Sequence, residues 1–365
     1  MERVNEFYEK VGLRLSTFYN RNKFAGRVDR MKFILMPFVF FAVLGFPMDN
    51  VIGEYVSAIC NFAALSFFIF CGFFTLVPDK KERKQKLGRA VKRSFIFFGI
   101  VFAAYLLINV IYLAATGNIG YLVSPELLRS GVLFNFIVLN VWPFPIGGAI
   151  WFIESLAFSY LFFFLAEKLN LSKLYLPLAI VLFIFSLLSG ELARLIGFSF
   201  FGRTYIPGGM LTKALPFMLV GMFLRKTIDK IGEIHKAVFF VAIFIGIGFS
   251  VLERLFLGKY GLLVYTGNAV GYAIIAIAVC CLSLRYPEID GVFLDDEGAD
   301  FSRNMYALCQ PVSLAVWAIT GAVAPDMLST VSMFGSVICF ILCFGLAFII
   351  GSVKFRIRES KGALK

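Results

Sequence analysis

Long apolar segments separated by short polar ones run along nearly the whole chain. From residue 31 onward, stretches of about 20 predominantly apolar residues recur, and each is long enough to cross the ~30 Å hydrocarbon core of a bilayer as a helix. Segments of about ten residues with alternating polarity, which are typical of transmembrane β-barrels, do not occur. The pattern therefore predicts an all-α integral membrane protein.

The spacing of the apolar segments predicts a membrane domain of ten transmembrane helices over 31–353. Before it, 1–30 is charged and aromatic, and apolar residues at helical spacing within 2–19 predict an amphipathic helix on the membrane surface. After it, 354–365 forms a short basic tail. The predicted spans are approximately 31–47, 55–77, 94–115, 147–165, 175–198, 209–224, 237–257, 262–284, 305–324 and 330–353.

Composition and charge agree with this class and set the topology. Hydrophobic residues make up 60% of the 365, and the formal net charge of +12 comes mainly from short loops and tails. If the N-terminus is cytoplasmic, 29 of the 35 Lys and Arg residues fall in cytoplasmic segments, as the positive-inside rule requires. An even number of spans then places the C-terminus in the cytoplasm as well. Because topology explains the charge, no nucleic-acid partner is expected.

Cysteine and histidine give no sign of a disulfide or a metal site. All seven cysteines lie within or at the ends of apolar runs, and none forms a CxxC pair. The only histidine, His235, lies in a predicted loop among charged residues. The acidic segment 288–300 is predicted to be a solvated turn, with a cation-binding loop as the alternative, although it lacks the ligand spacing of an EF-hand.

The segment GGAIWFIESLAFSYLFFF (147–164) places one carboxylate, Glu154, near the start of a predicted span. A charged side chain in hydrocarbon costs at least ~2.5–3.5 kcal/mol, so this carboxylate must lie at headgroup level, face a wet cavity or be paired. Two interpretations stay open, a functional carboxylate in a cavity and a side chain that reaches the interface. Trp151 lies about one helical turn away and would be its neighbour.

A second polar group is predicted at the outer end of the fifth span. Glu191 and Arg194 are three residues apart, so on a helix they share a face and can pair, with Arg203 extending a polar rim. Proline and glycine within 143–148 and 207–209 interrupt helices near the same side. Broken helices are tolerated in membranes where they line a cavity, which fits a substrate chamber and also a transporter.

Five sequence elements, taken in order, resemble the acyltransferase 3 family of membrane proteins. They are FFIFCGFF (67–74), LGRAVKRSF (87–95), IWFIESL (150–156), LPFMLVGMFLRK (215–226) and SRNMYALCQPV (302–312). The resemblance implies an O-acyltransferase in a bacterial inner membrane. Such an enzyme moves an acyl group, typically acetyl, from cytoplasmic acyl-CoA to a hydroxyl of a cell-surface glycan or lipid-linked precursor.

The chain departs from the family at the general base. The family's usual histidine at the outer end of the first span has no counterpart, because 41–45 is apolar. If acyl transfer persists, the base must be a carboxylate, and the candidates are Glu154 and Glu191. A non-catalytic relative that binds or passes a lipid-linked glycan or acyl lipid is the first alternative, and an unrelated secondary transporter is the second.

The resemblance also suggests where the two substrates bind. Arg89, Lys92 and Arg93 border the cytoplasmic end of the third span and are candidates for the pyrophosphate of coenzyme A. No metal is expected in either site. The residues expected to contact the acceptor are Trp151, Arg194 and Arg203.

Overall fold

The computed structural model describes residues 28–77, 79–125, 127, 130–147, 150–197, 206, 208–263, 268–285 and 298–360. Within these ranges the chain is helical and has no strand, which confirms the all-α prediction. The predicted surface helix within 2–19, Arg203 and nearly all of the acidic segment 288–300 lie outside the described residues, as do the side chains of the basic tail.

Thirteen α-helices and three short 3-10 helices are described, and a five-residue π turn, Met210–Ala214, leads directly into the eighth α-helix. The helices are α1 (28–44), α2 (Val51–Ile59), α3 (Phe62–Thr75), α4 (Lys80–Ala115), α5 (Ser130–Leu139), α6 (Ile150–Lys168), α7 (Tyr175–Leu188), α8 (Leu215–Lys226), α9 (Ile228–Glu233), α10 (Lys236–Lys259), α11 (Val270–Arg285), α12 (Gly298–Val323) and α13 (Leu328–Ser360).

Seven helical segments in the described ranges are long and apolar enough to cross a membrane. Five of them are single helices or most of one, namely α4, α6, α10, α12 and α13. The sixth is the continuous segment Val51–Thr75, which joins α2 and α3, and the seventh is Leu171–Leu188, which contains α7. Three of the predicted spans correspond to shorter helices, namely α1, the π turn with α8, and the 16-residue α11.

The core is built around α3, which packs against α8 and α11. Ile69 and Phe70 of α3 are fully buried. The backbones of α3 and α8 approach closely because a glycine stands at each contact. A Cβ on Gly72 would overlap the carbonyl of Met218, and a Cβ on Gly221 would overlap that of Ile69. The remaining helices pack around this pair, with α10 on α11, α6 on α4, and α12 on α13.

One face of the bundle gathers the basic ends of the helices, and we call it the basic face. Arg83, near the start of α4, forms an ion pair of 2.9 Å with Glu167 at the end of α6. Arg225, at the end of α8, lies over the ring of Phe73 at the end of α3, 5.0 Å from its centroid. Arg285, at the end of α11, donates to a carbonyl of α9. We call the other side of the bundle the opposite face.

The predicted fifth span, 175–198, is wrong at its C-terminal end. The helix α7 ends at Leu188, and 189–197 forms turns. The chain leaves the helix because the backbone N–H of Glu191 donates to the carbonyl of Asn268, at 3.1 Å, and Gly190 packs against the same residue. The break brings a carboxylate from the end of the span into the interior.

Candidate functional site

A large cavity of about 910 Å³ opens at the opposite face, between α1, α2, α6, α10 and the loop that follows α5. Two tryptophans, Trp142 and Trp151, contribute to its wall. Its lining also includes three charged side chains that are almost fully buried, namely Glu191, Lys213 and Arg254. Buried charges are rare unless they are paired or serve a ligand, so this cavity is the strongest candidate for a binding site.

The π turn positions Lys213 in the large cavity. The side-chain oxygen of Asn140, in the loop after α5, accepts a hydrogen bond from the backbone N–H of Met210 at 2.6 Å. Thr212 is held from two sides, since its hydroxyl accepts from Gly209 N at 3.1 Å and its carbonyl accepts from the Ser186 hydroxyl. The ammonium of Lys213 then lies 4.8 Å from the ring centroid of Trp151, within cation–π range. Such π turns are frequent at functional sites.

Arg254 enters the same cavity from α10. Its guanidinium lies 5.6 Å from the ring centroid of Tyr55, on α2. The preceding residue, Glu253, accepts from the backbone N–H of Val270 at 3.2 Å and so helps to hold the start of α11. Glu191 lies within electrostatic range of both Lys213 and Glu253. The buried end of the cavity therefore carries charges of both signs.

A small cavity of about 300 Å³ opens toward the basic face, between α1, α3, α4, α6 and α12. Three cations line it, namely Lys32, Arg93 and Arg303. Lys32 pairs with Asp29 at 3.0 Å, and the guanidinium of Arg303 lies 4.5 Å from the ring centroid of Phe97. The rest of the lining is mainly apolar and aromatic. This combination suits a ligand with an anionic end and a slender apolar or amide-bearing arm.

The two cavities share part of their lining in the middle of the bundle. Val39, Ala64 and Tyr306 line both of them and so stand between the basic and the opposite face, and we call these three residues the neck. Tyr306 is buried, its ring lies 4.9 Å from that of Phe152, and its hydroxyl has no hydrogen-bond partner among the described residues. A buried phenol without a partner is costly, unless a ligand at the neck accepts its hydrogen bond.

The structure places three of the sequence-predicted site residues on these cavities. Glu191 and Trp151 line the large cavity, and Arg93 lines the small one. Glu154 is fully buried in α6 and is not among the residues that line either cavity. Its nearest hydrogen-bonding neighbour is the side chain of Asn140, but neither carboxylate oxygen reaches hydrogen-bond geometry with a described group.

The other predicted site residues lie elsewhere. Arg89 and Lys92 are exposed on α4 and do not line the small cavity. Arg194 is exposed and donates to the carbonyl of Leu263 at 3.2 Å. The predicted helix-face pairing of Glu191 with Arg194 is wrong, because α7 ends before both residues and the turn buries one while exposing the other. Arg203 lies outside the described residues.

Several residues of the site were missed from the sequence. Lys213 stands alone at the start of a predicted span, and Arg254 stands near the end of another, so both resemble charges at a membrane interface. The available signal for Lys213 was its position between the Gly208–Gly209 pair and Pro216, which marks an irregular helix start. The burial of Arg254 and Tyr306 depends on helix packing that the sequence pattern does not show.

The described residues contain no group of three His, Cys, Asp or Glu side chains arranged to hold a metal ion. Comparison with known proteins gave no match among family models, curated proteins or solved structures.

Proposed function

We propose that the protein is a membrane O-acyltransferase of the acyltransferase 3 type, with ten spans and both termini in the cytoplasm of a bacterial cell. The basic face is then cytoplasmic, and the large cavity opens on the outer side of the inner membrane. The observation that carries the proposal is the shared lining of the two cavities at Val39, Ala64 and Tyr306. A donor confined to the cytoplasm and an acceptor on the far side can react only where such a neck joins their sites.

The small cavity suits the donor, acyl-CoA. Its volume of about 300 Å³ lies at the lower end of ligand sites, so it has room for the acyl group and part of the pantetheine arm. The nucleotide would stay on the basic face, where Lys32, Arg93 and Arg303 border the opening and Arg89 and Lys92 are exposed nearby on α4. Arginine and lysine bind phosphate through charge-assisted hydrogen bonds.

The reaction itself takes place at the neck. The acceptor hydroxyl attacks the thioester carbonyl, a C–O bond forms, the C–S bond breaks, and coenzyme A leaves as a thiolate that takes up a proton. The hydroxyl proton passes to the carboxylate of Glu191, which lines the large cavity. The Tyr306 hydroxyl, which has no partner among the described residues, donates to the carbonyl oxygen as negative charge develops there.

Glu191 is preferred over Glu154 as the base because of access. A general base must come within hydrogen-bond reach of the proton that it removes. Glu191 lines the large cavity, whereas Glu154 lies behind the wall, next to Asn140.

A second candidate function is binding or passage of a lipid-linked glycan without chemistry. Two of the three buried charged groups that line the large cavity, Lys213 and Arg254, are cations. Cations bind anionic groups through charge-assisted hydrogen bonds, which favours a binding site for an anionic ligand. In this case the neck would serve as a path, and no acyl group would be transferred.

Acetyl transfer separates the two functions. Inside-out membrane vesicles that contain the protein are given labelled acetyl-CoA, and base-labile label in lipid and glycan is measured. We expect Glu191→Gln to lower transfer by ~10²-fold or more, because a general base contributes on that scale. Glu154→Gln is the matched control and should retain most of the activity. Label no higher than in vesicles without the protein would refute enzymatic transfer.

A further inference from the structure

Lys213 is a buried cation whose charge the described residues do not neutralise by direct contact. Its side chain lines the large cavity and the residue is only 3% exposed. It makes no hydrogen bond or ion pair with any described residue, and the ring of Trp151 and the more distant charge of Glu191 are the groups that act on its charge. Burial of an ammonium without an anionic partner is unfavourable. An anionic ligand that paired with Lys213 would therefore bind with a favourable free energy.

The backbone around Lys213 is shaped to leave room for its ammonium. A Cβ on Gly208 would lie 2.7 Å from the Lys213 Nζ, so glycine is the residue that fits there. Asn140 fixes the first N–H of the π turn, and Thr212 is bonded on both its hydroxyl and its carbonyl. The backbone that carries Lys213 is therefore held in place before any ligand arrives, which lowers the entropy lost on binding.

The other charged groups of the cavity leave the buried end attractive to an anion. Arg254 is a second buried cation in the lining, and among the described lining residues Glu191 is the only buried anion. Glu253 does not line the cavity, and its carboxylate is bonded to the first N–H of α11. The remaining acidic lining residues, Asp49 and Glu54, are exposed at the mouth, where solvent screens them.

The rim of the cavity is apolar on the side formed by α1 and α13. Val43, Met48 and Met333 line the cavity and are also 38%, 39% and 41% exposed. In a membrane-spanning bundle, exposed apolar side chains at this position face lipid. The cavity thus joins an apolar rim to a buried cationic end.

We propose that the large cavity binds the phosphate-bearing headgroup of an anionic lipid, with Lys213 as the main ionic contact. The headgroup reaches Lys213 and Arg254, the chains lie along the apolar rim, and any sugar on the headgroup stacks on Trp151. This deepens the proposed function and rests on it in one respect, since it names the class of acceptor that brings its hydroxyl to the neck.

Binding is measured on the full-length purified protein in detergent. The probe is a fluorescent short-chain phosphatidylglycerol, competed with diacylglycerol of the same chain length and with soluble glycerol phosphate. We expect diacylglycerol and glycerol phosphate each to compete at least ~10-fold more weakly than unlabelled phosphatidylglycerol, because each lacks either the charge or the chains. Equal competition by diacylglycerol would overturn the role of the phosphate. Equal competition by glycerol phosphate would refute the proposal that the ligand is a lipid.

Four variants locate the contact. Lys213→Met should weaken binding of the probe at least ~10-fold, as expected for the loss of a charge-assisted hydrogen bond. Lys213→Arg should restore most of it, and Gly208→Ala should weaken it by crowding the ammonium. Lys259→Met makes the same change at an exposed cation on α10 outside the cavity and should bind like the wild type. Each variant is first compared with the wild type for thermal stability.

The binding experiment tests the lipid site whether or not the protein transfers acetyl groups. Loss of probe binding in Lys213→Met, with no acetyl transfer in the wild type, supports the lipid site and refutes the acyltransferase. Wild-type probe binding in a folded Lys213→Met protein refutes the lipid site, whatever the transfer assay shows.

Discussion

The two cavities differ in how their cations are placed, and the difference shows which cations membrane sidedness alone would account for. At the small cavity, Lys32 is paired with Asp29 and Arg93 is exposed, as the positive-inside rule alone would produce. At the large cavity, Lys213 and Arg254 are each only 3% exposed and lie on the face that has few cations. Sidedness does not explain these two charges, and for Lys213, which has no ion pair with a described residue, a ligand is the better explanation.

Another cation, Arg83, is a structural charge in the same bundle. It pairs with buried Glu167 at 2.9 Å and also donates to the carbonyl of Val77 at 2.8 Å, while Glu167 accepts from Tyr175. Every partner in this network comes from the protein. Lys213 has no such set of partners, and the predictions below test whether this contrast marks a division between stability and binding.

The largest effect is expected from breaking the structural pair. Arg83→Met should lower the free energy of unfolding by about 3–5 kcal/mol, because it leaves the buried carboxylate of Glu167 without its counter-charge. Chemical denaturation in detergent measures the change. Lys81→Met, at an exposed position two residues earlier, is the control and should change stability by less than about 0.5 kcal/mol. Equal stability of the two variants would show that the Arg83–Glu167 pair does not stabilise the fold.

The next effect concerns the neck. Tyr306→Phe should lower acetyl transfer by ~10²–10³-fold, as found when a donor to a developing oxyanion is removed. Its Km for acyl-CoA should change little. Tyr175→Phe is the control, since that hydroxyl bonds Glu167 on the basic face and should leave transfer intact. If Tyr306→Phe transfers acetyl at the wild-type rate, the hydroxyl has no part in the chemistry.

A smaller effect is expected at the small cavity. Arg93→Gln should raise the Km for acetyl-CoA by roughly 10-fold through loss of a phosphate contact, with kcat nearly unchanged. Arg89→Gln, one turn earlier and outside the cavity lining, should raise it by less. If Arg89→Gln raised the Km for acetyl-CoA more than Arg93→Gln, the phosphates would lie along the exposed side of α4 and away from the cavity mouth.

The smallest expected effect is on stability, and its sign is opposite to that of Arg83→Met. Lys213→Met should leave the free protein as stable as the wild type or stabilise it by about 1 kcal/mol, because it replaces a buried charge with an apolar side chain of similar length. Thermal unfolding without added lipid tests this. A marked fall in Tm would show that Lys213 stabilises the fold and would weaken the contrast with Arg83.

The sequence was sufficient for the helical class and for much of the span pattern, because apolar length alone decides these features. It was not sufficient where the chain leaves a helix early. The segment after Leu188 is apolar enough to continue a span, and only the hydrogen bond from Glu191 to Asn268, which is distant in sequence, shows why it turns.

The candidate site was predicted in part for a similar reason. Trp151 and Glu191 were found because an aromatic or a carboxylate in an apolar segment is conspicuous. Lys213 and Tyr306 were missed because a lysine at a span end and a tyrosine in a span are ordinary residues there. Their significance comes from burial and, for Tyr306, from a hydroxyl without a hydrogen-bond partner among the described residues, and both are tertiary properties.

The central claim is that the neck joins a cytoplasmic donor to an acceptor in the outer cavity, and blocking the neck tests it most directly. Ala64 lines both cavities, while Ala103 is exposed on α4 and lines neither. In inside-out vesicles given labelled acetyl-CoA, we predict that Ala64→Trp abolishes acetyl transfer while Ala103→Trp retains it, with both variants folded. Wild-type transfer by a folded Ala64→Trp protein would contradict the account.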